Sequence, residues 1–179
     1  MRRRRGWSPD ATDLETLTEH LFYEVQMTFF LAAQLDAPTG SRLDVSLRNA
    51  QIESFTLHLR QLSEFFWGDP PRDRSERVAF AADFFADGEW ARLRPELPAI
   101  VAKAVAAPEL RLSYNRTWLR PADQVWDAVT QAFALAPVVI RFADTVDHSQ
   151  LTPGYVNGMK LCAEMYVGGQ RAPGDELAA

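Results

Sequence analysis

Residues 14–35, LETLTEHLFYEVQMTFFLAAQL, decide the fold class. Leu14, Leu17, Leu21, Val25, Phe29, Ala32 and Leu35 recur at steps of three and four, the spacing of one face of an α-helix. Tyr23, Met27, Phe30 and Leu31 fill the other faces of the second half, which predicts a helix with neighbours on nearly every side. Ser8-Pro9 followed by Thr12-Asp13-Leu14-Glu15 offers a cap, a first-turn proline and a capping box. Asp36-Ala37-Pro38-Thr39-Gly40 stops the helix.

The same reading extends along the chain. A second helix is expected from about Asp44 to Trp67, with Leu47, Ile52, Phe55, Leu59, Leu62, Phe65 and Phe66 as its stripe. A shorter one is expected from Arg74 to Ala86, with Val78, Ala81, Ala82 and Phe85 inward, and Asp87-Gly88 closing it. Pro95 opens an Ala-rich segment to Ala107, and Pro121 opens a long helix through Phe142 with a kink at Pro137. Thr152-Pro153 caps a last helix to about Val167, weakened by Gly154 and Gly158. Strand signals are nearly missing, because Val138-Val139-Ile140 sits inside a helical pattern. The expectation is an all-α, single-domain bundle of five to six helices over residues 10–167. A flexible basic arm over 1–9 and a disordered tail over 168–179 flank it.

Composition narrows the function classes. The chain has 179 residues and a net charge of −5, with one cysteine and three histidines. Lone Cys162 excludes a disulfide framework and a cysteine-based zinc site. No apolar run approaches a membrane span, and no apolar segment follows the initial arginines as in a secretory signal. Arg2, Arg3, Arg4 and Arg5 hold four positive charges; setting them aside leaves −9 on the rest, which repels nucleic acid in general. A soluble, cytoplasmic protein is expected.

Polar groups on the first two helices are not explained by their surroundings. Glu24 lies where the first helix is apolar all round, and a buried carboxylate must pair or protonate. Arginines of the second helix are the available partners. On that helix Glu53 and Arg60 share a face, within about 20° of each other, whereas His58 and Arg48 stand at the edge of the apolar stripe. These residues define either a polar pocket between the two helices or an ion-pair network that fixes their register. Metal-ligand spacings are absent: the Glu-x-x-His of di-iron bundles does not occur, His20 falls on a polar face, and Asp144, Asp147 and His148 form a helix-end loop. No metal or other cofactor is expected. There is also no phosphate loop or nucleophile elbow.

Asn49-x-x-x-Glu53-Ser54-Phe55-x-x-His58-x-Arg60-x-Leu62-x-x-Phe65-Phe66 resembles the signature helix of a group of uncharacterised bacterial all-helical proteins. Tyr23-Glu24-x-x-Met27, Ala82-Asp83-Phe84-Phe85, Trp90 and Ser113-Tyr114-x-Arg116 fit the same group, so the resemblance spans residues 14–143. Its helical layout is similar to HEPN-type domains, many of which are metal-independent RNases of toxin or defence systems. Arg141 and His148, with six residues between them, formally meet the HEPN spacing, a match that chance also supplies in a chain this rich in arginine. Relatives place a histidine before the Ser/Thr-Tyr-x-Arg segment; this chain has Arg111-Leu112 there instead.

The leading expectation is binding or self-association, as a homodimer. Trp67, Trp90, Trp118 and Trp126 are the candidate interface. The alternative is a HEPN-like RNase acting on RNA. His58, Arg60, Arg116 and His148 then carry the chemistry, and Glu24, Arg48, Glu53 and Tyr114 form the polar network around them.

Overall fold

Asp10 and Asp13 start the first helix. In the computed structural model, which describes residues 9–36, 42–70, 78–106 and 127–169, the Asp13 backbone N–H donates to Asp10 Oδ1 at 2.9 Å. The Asp10 N–H donates to Asp13 Oδ2 at 3.1 Å. This reciprocal box satisfies N–H groups that a helix start leaves bare. It replaces the box expected at Thr12 and Glu15: Asp-x-x-Asp offers the same geometry two residues earlier, and the helix begins there.

Six α-helices follow among the described residues, with no strand: α1 (Ala11–Asp36), α2 (Arg42–Trp67), α3 (Glu89–Leu93), α4 (Ala99–Val105), α5 (Ala128–Thr145) and α6 (Pro153–Gly169). Short 3₁₀ turns cover Ala81–Phe84 and His148–Gln150. The chain is an all-α, single-domain helical bundle. No helix among the described residues is long and apolar enough to cross a membrane.

α1 is central, packing on α2, α5 and α6. Its Leu21, Val25, Phe29, Ala32 and Leu35 are buried. It is not covered on every side, however, for Tyr23 and Phe30 are each more than half exposed. Buried hydroxyls are absorbed inside their own helices: Thr18, Thr28, Thr56 and Ser63 each donate to the carbonyl four residues back.

α6 lies alongside α1 in parallel, with Thr152 Oγ1 donating to Glu15 at 3.0 Å and the Tyr166 ring tilted against Phe29 with centroids 5.1 Å apart. Gly158 makes the contact close. A Cβ at that position would stand 2.7 Å from Phe22 Cε2. The glycine that weakens α6 as a helix thus gives it a place to dock.

Phe142 of α5 is the hub of an aromatic core, within 5.4–5.8 Å of the rings of Phe65, Phe66, Phe84, Phe85 and Trp90. The segment before it departs from the expected helix over 74–86. Residues 74–77 lie outside the described ones, 78–80 are not helical, and only the 3₁₀ turn over Ala81–Phe84 forms. Its irregular backbone lets Phe84 and Phe85 both reach Phe142, which consecutive helical residues, about 100° apart, would not do. α4 starts at Ala99, with Pro98 rather than Pro95 at its N-cap. α5 begins at Ala128, capped by Asp127 accepting from the Thr130 N–H at 2.9 Å; the expected start at Pro121 lies outside the described residues. Pro137 is accommodated on the exposed side of α5.

Of the four tryptophans foreseen as an interface, Trp67 and Trp90 are engaged inside the bundle. Trp90 is 1% exposed, and its indole N–H donates to Phe66 O at 2.7 Å. Trp67 donates to Pro95 O at 2.8 Å, and Arg94 donates to Trp67 O at 2.9 Å. The bonds from Trp90 and Arg94 cap the carbonyl end of α2, whose last-turn acceptors have no helical partner, and the bond from Trp67 ties that end to Pro95. Trp118 and Trp126 lie outside the described residues.

Candidate functional site

Glu24 and His58 meet across the α1–α2 seam. His58 Nδ1 stands 2.6 Å from Glu24 Oε2, with the side chains 9% and 21% exposed. The helices bring them together because α1 and α2 run antiparallel, and Glu24 and His58 face each other on the inner edges of their stripes. Glu24 therefore has its partner, and the partner is the histidine rather than an arginine. A guanidinium is not required when a half-buried imidazole can donate from the facing helix. The Tyr23 ring stands edge-on to the His58 ring, with centroids 5.8 Å apart.

The arginines are engaged elsewhere. Arg48 donates to Leu35 O at 2.8 Å, a carbonyl in the last turn of α1, where a cation is favourable. Arg60 pairs with Glu64, one turn along α2, at 3.0 Å. Glu53 is exposed on the outer side of α2, so the shared face of Glu53 and Arg60 does not form an inward pair. Of the expected network of Glu24, Arg48, Glu53 and Tyr114, Glu24 bonds to His58, Arg48 reaches the end of α1 and Glu53 stays on the outer side, while Tyr114 lies outside the described residues.

His148 belongs to a separate corner. Its Nε2 lies 2.9 Å from Ala143 O and donates to it, and Arg141 is exposed on α5; no hydrogen bond joins the two. Asp147 accepts from the Ser149 backbone N–H, which with the Ser149 hydroxyl holds its carboxyl below the usual carboxylate range. Asp144 pairs with Lys160 at 2.6 Å, an ion pair that raises the lysine above its ordinary value. Capping and one surface pair account for that acidic loop. Arg116 and Tyr114 lie outside the described residues, as do Arg111 and the rest of 107–126. Among the described residues, no group of three histidine, cysteine or carboxylate side chains is placed to hold a metal.

No family model, curated protein or solved structure matches the chain.

Two features around the Glu24–His58 pair were not anticipated. The first is a cleft of about 380 Å³ at one end of the α1–α2 seam, walled by Leu17, Leu21, Leu62 and Phe65, with Glu24 and Glu64 on its sides. His20 and Gln61 also line it. The signal was available, since His20 with Glu24 and Gln61 with Glu64 follow helical spacing on one face each. The second is a strip of large apolar side chains, Tyr23 and Phe30 on α1 with Leu47 and Leu57 on α2, each more than half exposed.

Proposed function

We propose that this chain acts by binding rather than catalysis, and that the α1–α2 face is its recognition surface, used for self-association. One observation carries the reading. Tyr23, Gln26, Met27, Phe30 and Gln34 on α1, and Leu47, Ala50, Ser54, Leu57 and Gln61 on α2, are uncharged positions at helical spacing, bordered by Glu19 before Tyr23 and by Glu53 and Arg60 on either side of Leu57. A quarter of the chain is charged, so two runs of five uncharged positions that include four large exposed apolar side chains are a departure. Depletion of charge around exposed aromatics is the composition of an interface core. The four large side chains leave on the order of 400 Å² of apolar surface, at the upper end of what a monomer shows. With their six neutral neighbours they approach the roughly 800 Å² per partner of a stable pair.

A second copy suits this face better than an unlike partner. The chain is acidic overall, so two copies repel wherever their charged surfaces meet, and a neutral face is where they approach without that cost. Sedimentation at micromolar concentration is expected to give twice the chain mass of 20.2 kDa. Tyr23→Glu with Leu57→Glu is expected to give monomers with unchanged helicity. A wild-type chain that sediments as a monomer, or a double variant that still pairs, overturns the reading.

One observation favours acid–base chemistry as a second reading. Glu24 fixes His58 through Nδ1 and leaves Nε2 without a hydrogen bond, the arrangement of an oriented general base. The HEPN-like resemblance supplies RNA as the substrate for it. Against it stands the setting, because the adjoining cleft carries carboxylates and Arg60 is tied to Glu64, so that among the described residues no free cation stands in the cleft to hold a phosphate. RNA cleaved by the wild type and spared by His58→Ala would establish this reading, and RNA left intact by clean wild-type protein removes it.

A further inference from the structure

We propose that the cleft at the Leu21 end of the α1–α2 seam is a binding site for a small apolar molecule that carries a basic nitrogen. The site meets the proposed pairing face only at Gln61, and its argument does not rest on that pairing. A space of about 380 Å³ lies within the range of small-molecule pockets. Its leucines and Phe65 supply the apolar wall that recognises a hydrocarbon chain or ring.

The charge comes from Glu24. His58 occupies one of its oxygens, Oε2, and the other, Oε1, receives no hydrogen bond among the described residues. The side chain is 21% exposed and borders the cleft, so this oxygen is open to a donor that enters there. A carboxylate oxygen in that position favours a charged N–H donor over a neutral one, and charge-assisted bonds are the stronger kind. Glu64 adds a second negative group at the rim, held on its outer side by Arg60. Among the described lining residues only His20 can carry positive charge, and it stands exposed at the mouth. An ammonium ion fits this arrangement, while a carboxylate or phosphate meets two like charges. His58 shapes the site from behind: its bond to Oε2 fixes the rotamer of Glu24 and leaves Oε1 for the ligand.

Hexylamine, hexanol and hexanoate share a chain length and differ in charge, so they separate the two contributions. Titrated into the full chain at pH 7 and followed by nuclear magnetic resonance, hexylamine is expected to saturate one site and shift resonances of Leu21, Leu62 and Phe65. Hexanol is expected to bind there about tenfold more weakly, and hexanoate more weakly still. Glu24→Gln is expected to lower hexylamine affinity about tenfold and leave hexanol affinity unchanged, which also reports that the cleft is still formed. If Glu24→Gln does not fold, Glu64→Gln, an exposed change, is expected to weaken hexylamine two- to threefold with hexanol unaffected. Equal affinities for hexylamine and hexanol, hexylamine binding that neither variant weakens, or no saturable binding of hexylamine overturns the proposal.

Discussion

Breaking the Glu24–His58 bond tests how the two longest helices are held in register. The pair is short, at 2.6 Å, and joins helices whose other described link besides apolar packing is the Arg48 bond to the end of α1. A hydrogen bond with a charged partner contributes about 1.5–3 kcal/mol. Removing one member of a fully buried pair costs about 3–5 kcal/mol, because the survivor is stranded. Here the survivor is not fully stranded: Glu24 borders the cleft, and water entering it can solvate the carboxylate. The cost of His58→Phe is therefore placed nearer the lower range, about 2 kcal/mol, and that of Glu24→Leu at about 1.5 kcal/mol. The double variant loses both polar groups together and leaves nothing unpaired. Its cost is expected to be no greater than that of His58→Phe alone, a coupling of about 1.5 kcal/mol. Urea unfolding of the four proteins, followed by circular dichroism, measures each value at constant slope. Coupling below about 0.5 kcal/mol would show that the bond does not tie α1 to α2, and the account of the seam given above would fail.

Phe142→Ala removes the ring that touches five others and is expected to cost about 3–5 kcal/mol, a fall of roughly 10 °C or more in the thermal midpoint; a loss under 1 kcal/mol contradicts the hub. Burial first, and the carboxylates of Asp36 and Asp127 second, raise the Tyr166 hydroxyl well above its ordinary value. In the unfolded chain that hydroxyl ionises near pH 10 while the folded chain keeps its proton, so stability is lost as pH rises above about 10. Tyr166→Phe is expected to flatten that alkaline decline in chemical denaturation, and an unchanged slope refutes it. Burial likewise pushes the Cys162 thiol up. Its alkylation by iodoacetamide at pH 8 is therefore expected to run several-fold slower in the native protein than in urea; equal rates would show an accessible, unperturbed thiol.

Much of the fold was legible because helical periodicity is local. α1, α2, α5 and α6 each carry a stripe that steps by three and four, and each formed. The need of Glu24 for a partner was legible for the same reason: it sits among apolar neighbours on its own helix. Which residue answers it was not, because His58 lies 34 positions away and periodicity gives a face without its opposite number. Charge suggested an arginine, and the arginines turned out to serve a helix end and a surface pair. The tryptophans show the same limit. Trp90 looks like a surplus aromatic until the carbonyl end of α2 is seen to need donors, and Trp67 until its indole is seen to hold Pro95. The segment around Phe84 was misread because a run of alanines and phenylalanines fits a helix, while its actual course is set by contact with Phe142. Residues 107–126, with Tyr114 and Arg116, lie outside the described part, so their place in either reading rests on the sequence.

The parallel packing of α1 on α6 bears on the order in which the molecule is made. Thr152 reaches back 137 residues to Glu15, and Phe22 waits for the notch at Gly158. On the ribosome, α1 and α2 emerge early and can close their own seam. The flank of α1 that carries Phe22 and Phe29 finds its cover only once the last helix has left the tunnel. A nascent chain stalled before residue 153 therefore presents a greasy stripe to chaperones and to other nascent chains. α6, which covers that flank of α1, is made after every other described helix.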